Sequence, residues 1–253
     1  MTRIGTAGWS IPRAFAPEFP GAGAHLDRYA RALNAAEINS SFYRPHRRDT
    51  YARWAQSVPS DFRFAVKLPK AISHTARLID TSAPLDAFVD EVGGLGPKLG
   101  VVLLQLPPSF AFEAGVVAAF LAGLRARLDD TVGIACEPRH ASWFDATADA
   151  CLAAHRVARV AADPVLAAGG ERPGGWGGLR YHRLHGAPRV YYSAYEPLRL
   201  AALAASLVEA DGAAETWCIF DNTAAGAATG NALATKDLVA EAERARPLPP
   251  HAA

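Results

Sequence analysis

The chain has 253 residues, half of them hydrophobic and a fifth charged, which suits one large globular domain. Twenty-six basic and 25 acidic residues leave a formal net charge of +1, which argues against a protein that coats nucleic acid or an anionic membrane non-specifically. The three cysteines, Cys136, Cys151 and Cys218, are far apart and form no CxxC pair, so we expect neither a disulfide framework nor a thiolate zinc site.

The N-terminal segment lacks the charged, apolar and small-residue pattern of a secretory signal. The longest apolar stretches, such as 99–106, fall well short of the roughly 18 residues that a membrane helix needs. We therefore expect a cytoplasmic protein with no membrane partner.

Short apolar runs alternate along the chain with longer amphipathic segments that are often rich in alanine. The predicted strands are, in chain order, 3–6, 36–40, 62–67, 99–105, 132–136, 157–162, 179–184 and 216–220. Helices with recognisable start signals are predicted at 50–57 after Asp49, at 84–95 after Ser82, and at 198–209 after Pro197.

Strand and helix alternating eight times predict an α/β fold, namely a single (β/α)8 TIM-type barrel over residues 1–246. The main alternative is an open, doubly wound parallel sheet. Segment 164–178 is rich in Gly, Pro and Ala, so we predict a loop there instead of a sixth helix. Residues 247–253 have the composition of a disordered C-terminal tail.

Side chains in a parallel barrel alternate between the interior and the helix layer, and active sites lie at the carboxyl ends of the strands. Counting by two along each strand predicts inward-facing polar side chains at this end, namely Glu37, Asn39, Lys67, Gln105, Glu137, Arg139, Asp163, Arg183 and His185. So many buried polar groups would carry a large desolvation cost without a ligand or water to receive them. We therefore predict a binding pocket at the barrel mouth.

The cations of this set indicate an anionic ligand, such as a phosphate-bearing or carboxylate-bearing small molecule. Barrels of this type often bind phosphate at the loops after strands seven and eight, where Arg183, His185, Gly186 and Asn222 would lie. Internal ion pairs are the alternative explanation. These pairs would join Glu37 to Lys67, and Arg183 to Asp163 or Asp221.

The first functional hypothesis is an enzyme of hydrolase or lyase type that acts on a phosphorylated small molecule or a phosphodiester. Glu37, Glu137 or His185 would serve as general acid or base. Lys67 could form a Schiff base, although a paired structural lysine is the competing interpretation. A glycosidase is a weaker alternative, because the strands that carry Glu37 and Glu137 lie nearly opposite each other.

No cofactor is required by the sequence, and no metal site is predicted, because there is no HxH or HExxH spacing. The metal-assisted alternative would use carboxylates and histidines from several strand ends. The second functional hypothesis is a non-catalytic module that binds a nucleotide, nucleic acid or another anion. Trp9, Tyr43, Trp143 and Tyr195 would then offer faces for stacking, unless they simply pack.

Several motifs around the predicted mouth point to one family when they are taken together. They are Gly5-Thr-Ala-Gly-Trp9, Glu37-Ile-Asn-Ser-Ser-Phe-Tyr43, Phe64-Ala-Val-Lys67, Lys98-Leu-Gly100, Gln105-Leu-Pro-Pro108, Glu137-Pro-Arg-His-Ala-Ser-Trp143, Arg183-Leu-His-Gly186, Tyr192-Ser-Ala-Tyr195 and Phe220-Asp-Asn-Thr223. With these motifs the chain resembles the YecE-like family, also called domain of unknown function 72. The resemblance implies a TIM barrel with the motifs around its mouth, and it implies no particular activity.

The chain departs from the family pattern at two positions. Pro138 stands where an aromatic or aliphatic residue is expected, and Asp221 stands where asparagine is expected. The extra negative charge of Asp221 would either weaken an anion site or supply a base.

Overall fold

The computed structural model describes residues 2–208 and 214–245. The strands of this part are β1 (Thr2–Ala7), β2 (Ala35–Ile38), β3 (Arg63–Lys67), β4 (Leu99–Gln105), β5 (Gly133–Glu137), β6 (Val157–Arg159), β7 (Ala161–Asp163), β8 (Gly174–Gly175), β9 (Leu179–Leu184) and β10 (Glu215–Phe220). The α-helices are α1 (His25–Ala32), α2 (Arg48–Gln56), α3 (Ser82–Val92), α4 (Ala114–Arg125), α5 (Ala146–Ala154), α6 (Pro197–Val208) and α7 (Ala227–Ala245). Among the helices described here, none has the length and apolar character needed to cross a membrane.

The strands form one sheet that closes on itself as a barrel. Parallel pairing runs through β7, β9, β10, β1, β2, β3, β4, β5 and β6, and β8 adds an antiparallel pair to β6. The two ends of this order, β6 and β7, are separated only by Val160, whose amide donates to the carbonyl oxygen of Cys136 at 2.8 Å. β6 and β7 together are therefore the sixth strand of a TIM-like barrel. This confirms the predicted fold class and rules out the open sheet.

Most predicted elements are present with shifted ends. The helix predicted at 84–95 is α3 followed by a 3-10 segment at Gly93–Lys98, and the helix at 198–209 is α6, with Glu209 outside the described residues. Segment 164–178 contains no helix, as predicted, but it contains the two-residue strand β8. The predicted tail at 247–253 lies outside the described residues.

The face assignment of the sixth strand was wrong by one residue. Ala158 and Val160 lie in the barrel interior, whereas Arg159 points outward and bonds Asp149 of α5 at 2.8 Å. By the same alternation Asp163 lies on the outer face, where its carboxylate is 2.6 Å from the guanidinium of Arg199. Because residues 161 and 162 are both alanine, the sequence shows no polar-apolar alternation there that would assign the inward and outward faces of the strand.

The barrel interior is filled unequally by the two sides of the barrel. β2, β3, β5 and β6 contribute alanines, whereas β9 and β10 contribute Tyr181 and Trp217, whose rings stack with centroids 6.0 Å apart. Close strand contact also requires a small residue at Gly5, because a Cβ there would lie 2.0 Å from the carbonyl oxygen of Ala35. Since the opposite strands carry small side chains, long side chains from β9 can reach across the barrel.

Candidate active site at the barrel mouth

Arg183 of β9 lies at the centre of the mouth, fully buried and bonded to three carboxylates. Its Nε and Nη2 donate to the two oxygens of Glu37 at 3.0 and 2.7 Å. Nη1 donates to Glu137 at 3.1 Å, and Nη2 is 3.0 Å from Asp221. Burial works against the charge on Arg183, but the carboxylates outweigh it and raise the pKa well above its usual range. Arg183 is thus a permanent cation held by internal partners.

Glu37 is also fully enclosed, so the sequence hypothesis must be revised for this pair. Besides Arg183, its Oε2 accepts a hydrogen bond from the Tyr181 hydroxyl at 3.1 Å. Glu37 therefore pairs with Arg183 and not with Lys67, and neither member of the pair offers a free group to a ligand. Tyr181 was missed in the sequence, although it precedes Arg183 by two residues and so shares its strand face.

His185 lies between two carboxylates directly after β9. Its Nε2 is 2.9 Å from Glu137 Oε1, and its Nδ1 is 3.1 Å from Asp221 Oδ2. Arg139 completes this side, because its Nη2 contacts Glu137 and lies 2.7 Å from His185 Nε2. Burial opposes ionisation of Glu137, but Arg183, His185 and Arg139 outweigh burial and hold its pKa far below the ordinary value. Glu137 is therefore a carboxylate at neutral pH and a poor general acid.

Asp221, which follows β10 directly, is a full member of the cluster. Burial would raise its pKa, but the charge of Arg183 and the hydrogen bond from His185 lower it instead. Of the two partners considered for Arg183, Asp221 is the one found. Asp163 faces outward and pairs with Arg199. The negative charge at 221 is thus neutralised inside the cluster.

Lys67 differs from the other cations of the mouth. It ends β3 and is 6% exposed, and its Nζ lies 4.1 Å from the centroid of the Phe42 ring. Within residues 2–208 and 214–245, no hydrogen-bond acceptor or carboxylate oxygen is in bonding range of this amine. Burial, reinforced by the charge of Arg183, lowers its pKa to about 8 against the opposing pull of the cluster carboxylates. The folded environment therefore favours the neutral amine of Lys67 more than water does.

The 3-10 turn Ser40–Phe42 positions the aromatic ring over Lys67. The Ser41 hydroxyl donates to the backbone oxygen of Lys67 at 2.6 Å and so ties this turn to the end of β3. Phe42 therefore contacts the lysine, whereas the predicted ligand residue Tyr43 is 77% exposed on the rim. Asn39 has left the strand, with φ −84° and ψ −20°, so it does not continue the face of Glu37.

Two other predicted residues line the mouth or its vicinity without a polar partner. Gln105 ends β4 as a half-buried side chain with no hydrogen bond to the described part of the chain. The side-chain oxygen of Asn39 is buried and likewise has no partner among those residues. Both remain candidates for contact with a ligand.

The predicted aromatic ligands Trp143 and Tyr195 have structural roles. Trp143 is fully buried, and its indole N–H donates to the carbonyl oxygen of Phe110 at 2.9 Å. The Tyr195 hydroxyl donates to Asp163 at 3.0 Å and accepts from the amide of Gly186 at 2.8 Å. Neither ring presents an open face. Trp9, also proposed for stacking, packs against Trp54 with ring centroids 5.0 Å apart.

Gly186 and Asn222 hold the loop after β9 in place. Gly186 has φ +94°, and a Cβ there would lie 2.9 Å from the carbonyl oxygen of Ser193, so glycine is required. The amide of Asn222 donates to Ser193 at 2.9 Å and to Asn231 at 2.8 Å. These contacts fix the rim beside the cluster.

Among the described residues, no group of three or more His, Cys, Asp and Glu side chains is arranged to hold a metal ion. The carboxylate oxygens that would be needed accept hydrogen bonds from Arg183. The cluster therefore uses a guanidinium as its central cation. The mouth therefore combines a buried amine that has no acceptor among the described residues with a fixed set of charges.

A family model described as "Protein of unknown function DUF72" matches residues 3–253. The UPF0759 protein YecE of Escherichia coli is 33% identical over 110 residues, which are 44% of this chain and 39% of YecE. The UPF0759 protein YunF of Bacillus subtilis is 27% identical over 150 residues, 57% of this chain and 52% of YunF. The matched segments thus span about half of these relatives or less. The family match confirms the resemblance inferred from the motifs.

Two solved structures of DUF72 family proteins share the fold. The Enterococcus faecalis protein superposes with a TM-score of 0.80 at 22% identity, covering 95% of this chain and 96% of its own. The Thermotoga maritima protein gives a TM-score of 0.77 at 23% identity, covering 95% and 99%. At these identities the similarity is one of architecture, and it supports the barrel.

Proposed function

The chain belongs to the DUF72 family, and from the geometry of its barrel mouth we propose that it is an enzyme that acts on a phosphorylated carbonyl compound through an imine on Lys67. The observation that carries this proposal is the open amine of Lys67. Arg139 and Arg183 each contact a carboxylate, whereas Lys67 has an aromatic ring beside it and no acceptor among the described residues. An amine with no acceptor in the described part of the chain is available to a substrate.

The environment of Lys67 suits nucleophilic attack. A neutral amine is needed, and burial together with the charge of Arg183 favours that form. In the proposed step the lone pair of Nζ forms a bond to the carbonyl carbon while the C=O π electrons move to oxygen. The carbinolamine then loses water, which carries away the carbonyl oxygen and both amine hydrogens. No oxidant or metal takes part in this balance.

Arg183 and Glu37 act in this proposal as positioning residues. Their bidentate pair holds β9 and β2 together across the mouth, and the charge of Arg183 disfavours a second cation at Lys67. Arg183 does not hold the anionic group of the substrate, because its N–H groups are already bonded. This changes the role that the sequence suggested for it.

The direct test is reductive trapping. The protein is incubated with a panel of phosphorylated aldehydes and ketones, treated with borohydride, digested, and analysed by mass spectrometry. We expect a covalent adduct on the peptide that contains Lys67, and none on that peptide in Lys67→Met. The matched control is Lys70→Met, which removes an exposed lysine three residues away and should leave trapping unchanged. Absence of an adduct with the whole panel, or equal labelling of Lys70, contradicts the proposal.

A non-catalytic module that binds a nucleotide or nucleic acid is the second candidate. Three tyrosines at or near the rim are exposed, Tyr43 at 77%, Tyr191 at 45% and Tyr192 at 44%, and the guanidinium of Arg189 lies 3.8 Å from the Tyr192 ring centroid. Exposed rings beside a cation support stacking of bases. Oligonucleotide binding that weakens steeply with salt and persists in Lys67→Met would favour this candidate over the enzyme.

A further inference from the structure

A small cleft lies beside the mouth, where the end of β1 meets the start of α7. It encloses about 200 Å³ and presents the hydroxyl-bearing residues Thr6, Ser10, Thr223 and Thr229. None of its lining residues, all of which lie in the described part of the chain, is charged. The volume suits a group of the size of a phosphoryl, and the lining suits recognition by neutral donors.

Thr229 is the observation that points to a ligand. It lines the cleft and is 3% exposed, yet its hydroxyl has no hydrogen-bond partner among residues 2–208 and 214–245. Thr6, by contrast, donates to the backbone oxygen of Gly8 at 2.6 Å and lies 3.0 Å from the Tyr29 hydroxyl. The Thr229 hydroxyl is therefore a donor that makes no bond within the described part of the fold, and a group bound in the cleft can accept a hydrogen bond from it.

The start of α7 supplies further donors. This helix has 19 residues, and Gly226, Ala228 and Thr229 at its N-terminus line the cleft. The amides of Gly226 and Ala228 donate to Thr223 and Asn222, whereas those of Ala227 and Thr229 meet no backbone or side-chain acceptor within the described residues. Free amides and the positive end of a long helix both favour an anion.

The cleft adjoins the reacting end of the mouth. The amide of Gly8, which lines it, donates to the backbone oxygen of Glu37 at 2.8 Å, and Thr223 follows Asp221 by two residues. Lys67 lies on β3, two strands away from β1, which is a distance of about 10 Å at the usual strand spacing. A molecule of several carbons with a phosphate at one end and a carbonyl at the other spans this distance.

We infer that the cleft is the subsite for the phosphoryl group of the substrate, bound through the Thr229 hydroxyl and the first turn of α7. The inference rests on the proposed function and specifies it, because it makes the substrate a phosphorylated carbonyl compound a few carbons long. It also gives the anionic group a site outside a cluster whose arginines are engaged by carboxylates. The phosphate sits beside the charged cluster and not within it.

The test measures binding of inorganic phosphate by titration calorimetry to the wild-type protein and to two matched variants. Thr229→Val removes the cleft hydroxyl at nearly constant shape. Thr235→Val removes a second hydroxyl on the same helix that is fully buried and unpartnered but does not line the cleft. We expect Thr229→Val to weaken phosphate binding about tenfold or more, the size of one hydrogen bond to a charged group. Thr235→Val should bind as the wild type does.

Lys67→Met separates this inference from the proposed function. We expect it to keep its phosphate affinity and to lose reductive trapping. Unchanged binding in Thr229→Val, or no phosphate binding by the wild type at about 10 mM, overturns the subsite. If phosphate binding is lost in Lys67→Met and kept in Thr229→Val, the anion binds beside the lysine. That result overturns the proposed subsite but leaves the proposal of an anionic substrate intact.

Discussion

The two sides of the barrel mouth differ in whether their buried cation has carboxylate partners. Arg183 is surrounded by three carboxylates and a histidine, and every partner is within hydrogen-bond distance. Lys67, at the end of β3, has an aromatic ring and no acceptor in the described part of the chain. The contrast teaches that burial alone does not identify a functional charge. What distinguishes the two is whether the fold supplies the counter-charge.

The difference follows from what the neighbouring strands contribute. Arg183 extends across an interior kept open by alanines and reaches carboxylates on β2, β5 and after β10. The amine of Lys67 lies against the face of the Phe42 ring, which accepts no conventional hydrogen bond. The Arg183 side should therefore respond to mutation as a structural element, and the Lys67 side as a functional one.

The largest effect is expected from Arg183→Met. Removing the guanidinium leaves three buried carboxylates without their shared cation, so we expect the free energy of unfolding to fall by about 3–5 kcal/mol. Urea denaturation measures it. Arg48→Met, which breaks an exposed pair with Asp90, should cost less than about 1 kcal/mol.

If Arg183→Met does not fold, Arg183→Lys serves in its place, because it keeps the charge and loses the bidentate contact with Glu37. It should be intermediate in stability. A loss no larger than that of Arg48→Met in either variant would show that the cluster is not structural, and would erase the contrast with Lys67.

The dependence of stability on pH in the acid range tests the same contrast. The pKa of Glu137 is lowered in the folded state. Its carboxylate therefore stabilises the fold at pH values above the unfolded-state pKa of about 4.3, and this stabilisation is lost as the pH falls below that value. One such group changes the free energy of unfolding by up to about 1.4 kcal/mol per pH unit. Glu137→Gln cannot titrate, so its stability should fall less steeply between about pH 4 and pH 3.

Urea titrations at several pH values measure this slope. Glu243→Gln, which removes an exposed carboxylate outside the cluster, should keep the slope of the wild type. Equal slopes in the wild type and in Glu137→Gln would mean that the cations around Glu137 do not stabilise its charge.

The sequence was sufficient for the barrel and for most of the interior positions. Where polar and apolar residues alternate clearly, as in β3 and β9, counting by two placed Lys67 and Arg183 correctly. It failed at Asp163, because the strand is interrupted at Val160 and the two residues before Asp163 are both alanines. It also failed to show β8, because a pair of glycines carries no strand signal.

The sequence could not show which charged side chains pair at the mouth, because the pairing depends on how far each side chain extends across the barrel. Strand order places Glu37 nearer to Lys67 than to Arg183, yet Glu37 bonds the arginine. Trp143 lies in a 3-10 turn beyond β5, where the two-residue period of a strand no longer applies. The Thr229 cleft was equally hidden, since its lining comes from segments more than 200 residues apart in the chain.

The most direct check on Lys67 is a change in stability with the opposite sign to that of Arg183→Met. The folded state disfavours the ammonium form, so Lys67→Met should raise the free energy of unfolding at pH 7 by about 1–2 kcal/mol. Because the pKa is lowered, the wild type binds fewer protons folded than unfolded between about pH 8 and pH 10.4, and its stability rises with pH there. The stability difference between Lys67→Met and the wild type should therefore shrink between these two pH values. Other groups that titrate at alkaline pH are present in both proteins, so their contributions cancel in this difference. A variant that is less stable than the wild type at pH 7 would mean that the cluster carboxylates do hold the Lys67 ammonium. Lys67 would then be structural, as Arg183 is, and its amine would not be free for a substrate.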